Sequence, residues 1–105
     1  MKVYLDDVRS LPPGWDPADW HVVRTAEEAI ELLKTGKVKE ISFDHDLGEN
    51  KMTGYDVIKW IEKSVAEGYF VPPGVMRIHT ANPGARPAMG QGIEAIKRIY
   101  REKQK

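Results

Sequence analysis

Three short stretches of this 105-residue chain gather side chains able to do metal, phosphate or proton-transfer chemistry. The first carries Asp6, Asp7 and Arg9. The second carries Asp44, His45 and Asp46. The third carries His79, Thr80, Asn82 and Arg86. Carboxylates brought together repel, and a cation, an arginine or shared protons must stand between them. A hard divalent cation such as Mg²⁺ would neutralise Asp7 and Asp44, with Asp6 or Asp46 assisting. The histidines extend the choice to Mn²⁺. An imidazole can give or take a proton near pH 7, so His45 and His79 suit acid and base roles, with Asp44 and Asp46 beside them. Such a pair, helped by Arg9 and Arg86, can open a cyclic phosphodiester. Thr80, Asn82 and the Gly84 backbone precede a helix and suit a phosphate cradle. His21 stands apart and reads as a packing residue.

These groups meet only if the chain carries all three stretches to one place. Each follows a short apolar run: Met1–Leu5, Glu40–Phe43 and Val75–His79. Continuous apolar runs suit parallel strands buried on both faces. A further strand is predicted over Trp20–Arg24. Between the first two strands lies Val8–Asp19, where Pro12, Pro13, Gly14 and Pro17 forbid a regular helix. Leu11, Trp15 and Trp20 can pin that loop to the body, with both indoles covering the sheet.

Three helices are predicted. Thr25 and Glu28 form a capping box, and Gly36 ends the helix they open. Thr53 caps a helix that runs to about Glu67, with Val57, Ile58, Ile61 and Val65 on one face, and Gly68 stops it. After a loop over Ala81–Pro87, a last helix turns Met89, Ile93, Ile96 and Tyr100 inward. Alternating strands and helices give an α/β domain with a four-stranded, mostly parallel sheet. Ligands of such sheets bind beyond the carboxyl ends of the strands, where all three polar stretches begin.

Length and composition set the outer limits. The chain suits a single domain spanning 1–105. It is 41% hydrophobic and 30% charged, with 3 Trp, 4 Tyr and 2 Phe, which is a globular composition. Net charge is zero, so no global field draws it to nucleic acid or to an anionic membrane. Acid dominates residues 1–52 and base dominates residues 53–105, the excess lying in the tail from Lys97 to Lys105. Cations there suit a helix C-terminus. The absence of cysteine excludes disulfides, thiolate metal sites and thiol nucleophiles. No apolar run is long enough to span a membrane. The expected location is the cytoplasm. A short sheet has exposed edges, and a homodimer through one of them is an open possibility.

The motifs also resemble a known family. Leu5-Asp6-Asp7-Val8-Arg9 is followed by Pro12 and Gly14-Trp15. Ser42-Phe43-Asp44-His45-Asp46-Leu47-Gly48 is followed by Thr53-Gly54-Tyr55-Asp56. His79-Thr80-Ala81-Asn82 completes the set. Together these resemble the cyclic-phosphate-processing receiver-like family, over Val3 to about Ile99. That family is related to response-regulator receivers. The resemblance implies a small flavodoxin-like, three-layer domain, truncated relative to a full receiver. By it, Asp6 and Asp7 match the receiver acidic pair, Asp44 the phosphoacceptor and Thr80 the hydroxyl residue after the fourth strand. A receiver also needs a lysine after a fifth strand, which this sequence lacks, and a helix where the proline loop stands.

The expected function is therefore a phosphoesterase acting on a cyclic phosphate of a nucleotide or RNA end. Asp6, Asp7 and Asp44 would hold Mg²⁺ or Mn²⁺, and Arg9, Thr80, Asn82 and Arg86 would hold the phosphate. Two alternatives use the same residues: a stand-alone receiver phosphorylated on Asp44, and a non-catalytic binder of nucleotide or phosphate.

Overall fold

The computed structural model describes residues 1–104. The strands are β1 (Lys2–Leu5), β2 (Trp20–Val23), β3 (Glu40–Phe43) and β4 (Val75–Ile78). The helices are α1 (Ala26–Lys34), α2 (Gly54–Ala66) and α3 (Arg86–Lys103). The sheet runs β2-β1-β3-β4, and every pairing is parallel. This is the expected α/β, receiver-like domain, except that all three helices share one face and the proline loop stands where a second helical layer was expected. The last helix begins one residue before Pro87, inside the stretch expected to be loop. Proline fits a first helical turn because the N–H it lacks has no partner there anyway.

Alternation along the strands divides the sheet into two unlike faces. Val3, Leu5, Val23, Ile41 and Phe43 turn to one side. There they form a single core with Ala29 and Leu33 of α1, Val57, Ile58, Ile61 and Val65 of α2, and Met89, Ile93 and Ile96 of α3. On the other side the covering layer is the proline loop. Trp15 meets Tyr4 edge-on at 5.8 Å and stacks on Trp20 at 4.4 Å. Toward β4 that face lies open: Val75 is exposed, and the exposed Arg77 pairs with Glu40. His21 is exposed instead of packed. It lies on an edge strand, and the core reaches its neighbour Val23 but not His21 itself.

Two local devices set the helices. Thr25 accepts from the Glu28 N–H at the start of α1. Thr53 and Asp56 exchange hydrogen bonds in a full capping box at the start of α2. Gly54 then lies against the end of β3, its N–H donating to the His45 carbonyl at 2.9 Å. A Cβ added at Gly54 would fall 1.7 Å from the Asp44 carbonyl oxygen, so only glycine lets α2 come this close. Gly90 in α3 has open space around its Cβ position.

These glycines predict opposite effects. Gly54→Ala must push the backbone apart and lowers stability by about 3 kcal/mol or more. Gly90→Ala gains helix propensity and raises stability by about 0.5–1 kcal/mol. Urea unfolding of both variants checks this, and an unchanged midpoint for Gly54→Ala contradicts the close approach.

Candidate functional site

The site begins one step beyond the strands. The Asp6 N–H donates to the Val23 carbonyl, the Asp44 N–H to Leu5 and the His79 N–H to Phe43, at 2.9–3.1 Å. The register pairs Leu5 with Phe43 and Phe43 with Ile78. The next row is therefore Asp6, Asp44 and His79, set by the backbone ladder itself. All three have the parity of Tyr4, Ser42 and Arg77, so they leave on the loop-covered face. One ligand-type atom from each of the three lies within 4.8 Å of the others.

Asp7 stands outside this group. The sequence reading gave Asp7 the leading role, but Asp7 lies in the bend after β1 and does not join the cluster that Asp6 forms with Asp44 and His79. Asp6 is fully buried. Its Oδ1 accepts from the N–H groups of Val8 and Arg9, and its Oδ2 meets His79 Nε2 at 3.1 Å. Burial works against its charge, but the two backbone donors and His79 outweigh this and hold the carboxyl below its ordinary value.

His79 is held on every side. Nδ1 meets Ser42 Oγ at 2.7 Å, Nε2 meets Asp6, and the ring stacks on Tyr4 at 4.4 Å. Burial lowers its pKa, and the pull of Asp6 in the other direction does not make up the difference. The imidazole is thus neutral at pH 7, with Nε2–H donating to Asp6 and the Ser42 hydroxyl donating to Nδ1. Desolvation, followed by the charge of Asp6, raises the Tyr4 phenol above its ordinary value.

His45, in the bend after Asp44, lies on the helix side of the sheet with Tyr55 of α2 and Ala88 of α3. Its N–H donates to Asp44 Oδ1 at 2.8 Å. Its ring Nδ1 meets Asp46 Oδ1 at 2.9 Å, and Asn82 Nδ2 reaches the other oxygen of Asp46 at 3.4 Å. The His45 bond comes first in holding Asp46 below its ordinary pKa. With Nδ1–H donating to Asp46, Nε2 of His45 keeps a free lone pair.

The phosphate-binding candidates gather at the same edge. Arg9 donates to the His79 carbonyl, and Arg86 to the carbonyls of Ile78 and Thr80. Each bond uses one guanidinium nitrogen and leaves further donors free. Thr80 is buried and its Oγ1 accepts from the Asn82 N–H. Asn82 does not cap α3, whose N-cap is Ala85 with no side-chain bond. It closes the preceding turn instead, accepting from the N–H groups of Gly84 and Ala85. The Gly84 N–H expected in a phosphate cradle is therefore engaged.

Three contributors escaped the sequence reading. Ser42 is a lone polar residue within the apolar run Ile41-Ser42-Phe43, and that break in pattern was the available signal. Tyr4 sits in the equivalent place on β1. Arg24 donates to the carbonyls of Asp6 and Arg9 and so braces the turn after β1, for which the sequence holds no comparable sign.

Asp6, Asp44 and His79 fit a divalent ion in donor type and spacing. Two carboxylates suit either Mg²⁺ or Mn²⁺, and the imidazole favours Mn²⁺. Among known proteins, a family model described as the cyclic-phosphate processing receiver domain matches residues 1–95. No curated protein and no solved structure matches the chain. Among the described residues, no helix is long and apolar enough to cross a membrane.

Two measurements probe the buried network. Ser42→Ala leaves His79 Nδ1 without its partner and lowers stability by about 1–3 kcal/mol in urea unfolding. The second measurement concerns pH. Because the folded pKa of His79 lies below its ordinary 6.5, the unfolded chain takes up the proton first. Stability of the metal-free protein is full above pH 6.5 and declines as pH falls below it, before Asp6 titrates below its ordinary 3.8. His79→Gln flattens that decline, and an unchanged slope refutes the assignment.

Proposed function

This chain belongs to the cyclic-phosphate processing receiver family, and from that premise we propose that it is a metal-assisted phosphoesterase opening a cyclic phosphate on a nucleotide or RNA end. One observation carries the reading. The His45 N–H donates to Asp44 Oδ1 at 2.8 Å, so the Asp6–Asp44–His79 row and the His45–Asp46–Asn82 relay meet at Asp44 on one sheet edge.

The geometry divides the two imidazoles. Both nitrogens of His79 are engaged, so it serves as a ligand and an anchor. With the ion on Nε2 in place of the proton, Nδ1–H would donate to Ser42 Oγ, since a hydroxyl can donate or accept. His45 has the free nitrogen and takes the proton transfer alone, with Asp46 fixing its tautomer. A bound Mg²⁺ or Mn²⁺ would supply Lewis-acid stabilisation of the phosphoryl oxygens.

In the proposed step a water oxygen bonds to phosphorus while its proton passes to His45 Nε2. One ester P–O bond breaks, and the leaving alkoxide takes a proton back. Water is thereby added across that bond. Arg9 and Arg86 meet the charge on the phosphoryl oxygens with their spare N–H groups, and the Thr80 hydroxyl and the second Asn82 amide hydrogen add neutral donors.

Purified protein with Mn²⁺ is expected to convert a 2′,3′-cyclic nucleotide to a nucleoside monophosphate, followed by phosphorus NMR, and chelation stops it. His45→Ala lowers kcat about 10²–10⁴-fold. A loss below about tenfold removes His45 from proton transfer. Absence of turnover together with a phosphate adduct on Asp44 after exposure to acetyl phosphate would favour the phosphoacceptor reading instead.

A further inference from the structure

His45 also lines a cleft of about 350 Å³ on the helix side of the strand ends. The other walls are Tyr55 from α2, Asn82 and Gly84 from the loop after β4, and Ala85 and Ala88 at the start of α3. None of Asp6, Asp44 and His79 lines this cleft. It is much larger than a phosphate group needs and lies at the lower end of small-molecule sites. Its walls combine an aromatic ring and two methyl groups with a few polar groups, as binding sites for organic ligands do. The Lys59 ammonium lies over the Tyr55 ring at 5.8 Å, and the ring edge stands 3.8 Å from where a Cβ on Gly92 would be.

We propose that this cleft is a subsite for the base of a single nucleoside, placed so that a phosphate attached to that nucleoside lies at His45. The inference rests on the phosphoesterase reading for the position of the phosphate, but the recognition itself needs no catalysis. A planar base can lie against the methyl groups of Ala85 and Ala88. Its polar edge can meet the Tyr55 hydroxyl. Occupying the cleft also shields His45, which would couple base recognition to the proton-transfer group. Ala88 is exposed in the first turn of α3, so a larger side chain there fills the cleft without entering the core.

The test is equilibrium binding by calorimetry in chelator, so that no metal-dependent turnover intrudes. The probes are adenosine 2′,3′-cyclic monophosphate and glycerol 1,2-cyclic phosphate, which has the cyclic ester and no base. Wild type is expected to bind the nucleotide at least about tenfold more tightly. Ala88→Phe removes that preference and leaves glycerol cyclic phosphate within about twofold, and Ala88→Leu has a smaller effect in the same direction. Equal binding of both probes by wild type, or a nucleotide preference that survives Ala88→Phe, overturns the subsite. If the preference exists and is lost in Ala88→Phe while neither probe is hydrolysed with Mn²⁺, the subsite stands and the phosphoesterase reading falls.

Discussion

The structure depends on a backbone constraint. In a parallel ladder the residue after each strand still has its N–H tied to a neighbouring carbonyl, and its side chain still obeys the strand's alternation. Asp6, Asp44 and His79 occupy that next place on three adjacent strands. Their convergence is therefore fixed as firmly as the sheet, with no dependence on loop conformation. Catalytic and ligand-binding groups held this way keep their geometry at little entropic cost when a substrate arrives.

That placement has an electrostatic consequence. Asp6 is out of contact with water yet keeps its charge, because two amides of the turn it begins and the imidazole of His79 all face it. Arg24 is spent on the carbonyls of the same turn. The turn and the carboxylate hold one another: the carboxylate orders the turn, and the turn stabilises the charge. A buried carboxylate with a neutral imidazole beside it is also a site that a cation can enter without first displacing a bound ammonium or guanidinium. No Lys or Arg side chain bridges these carboxylates among the described residues.

Much of this was legible in the sequence. Strands, helices, caps and the proline loop follow from local pattern, since Thr25, Thr53, Gly36 and the prolines act through their own backbone. The convergence of three polar stretches followed from the parallel topology. The choice of Asp6 over Asp7 needed the parity of Tyr4 and Ser42, which becomes decisive only once one face of the sheet is known to carry the site. The division between His79 and His45 rests on their partners, since Ser42 and Asp6 engage both nitrogens of His79 and Asp46 engages one of His45. The fate of Asn82 turned on the exact start of α3, and turn geometry at that scale is not carried by residue type alone.

The loop-covered face has one more property. Trp20, Trp15, Tyr4 and His79 form a continuous run of ring contacts from the outer edge of β2 to the candidate site. Two indoles stacked at 4.4 Å share their electronic transitions, and the phenol between them and the imidazole mechanically links that pair to the buried histidine. The coupled indole pair therefore sits two ring contacts from the buried imidazole, so its near-ultraviolet dichroism is a signal native to the face that carries the candidate site.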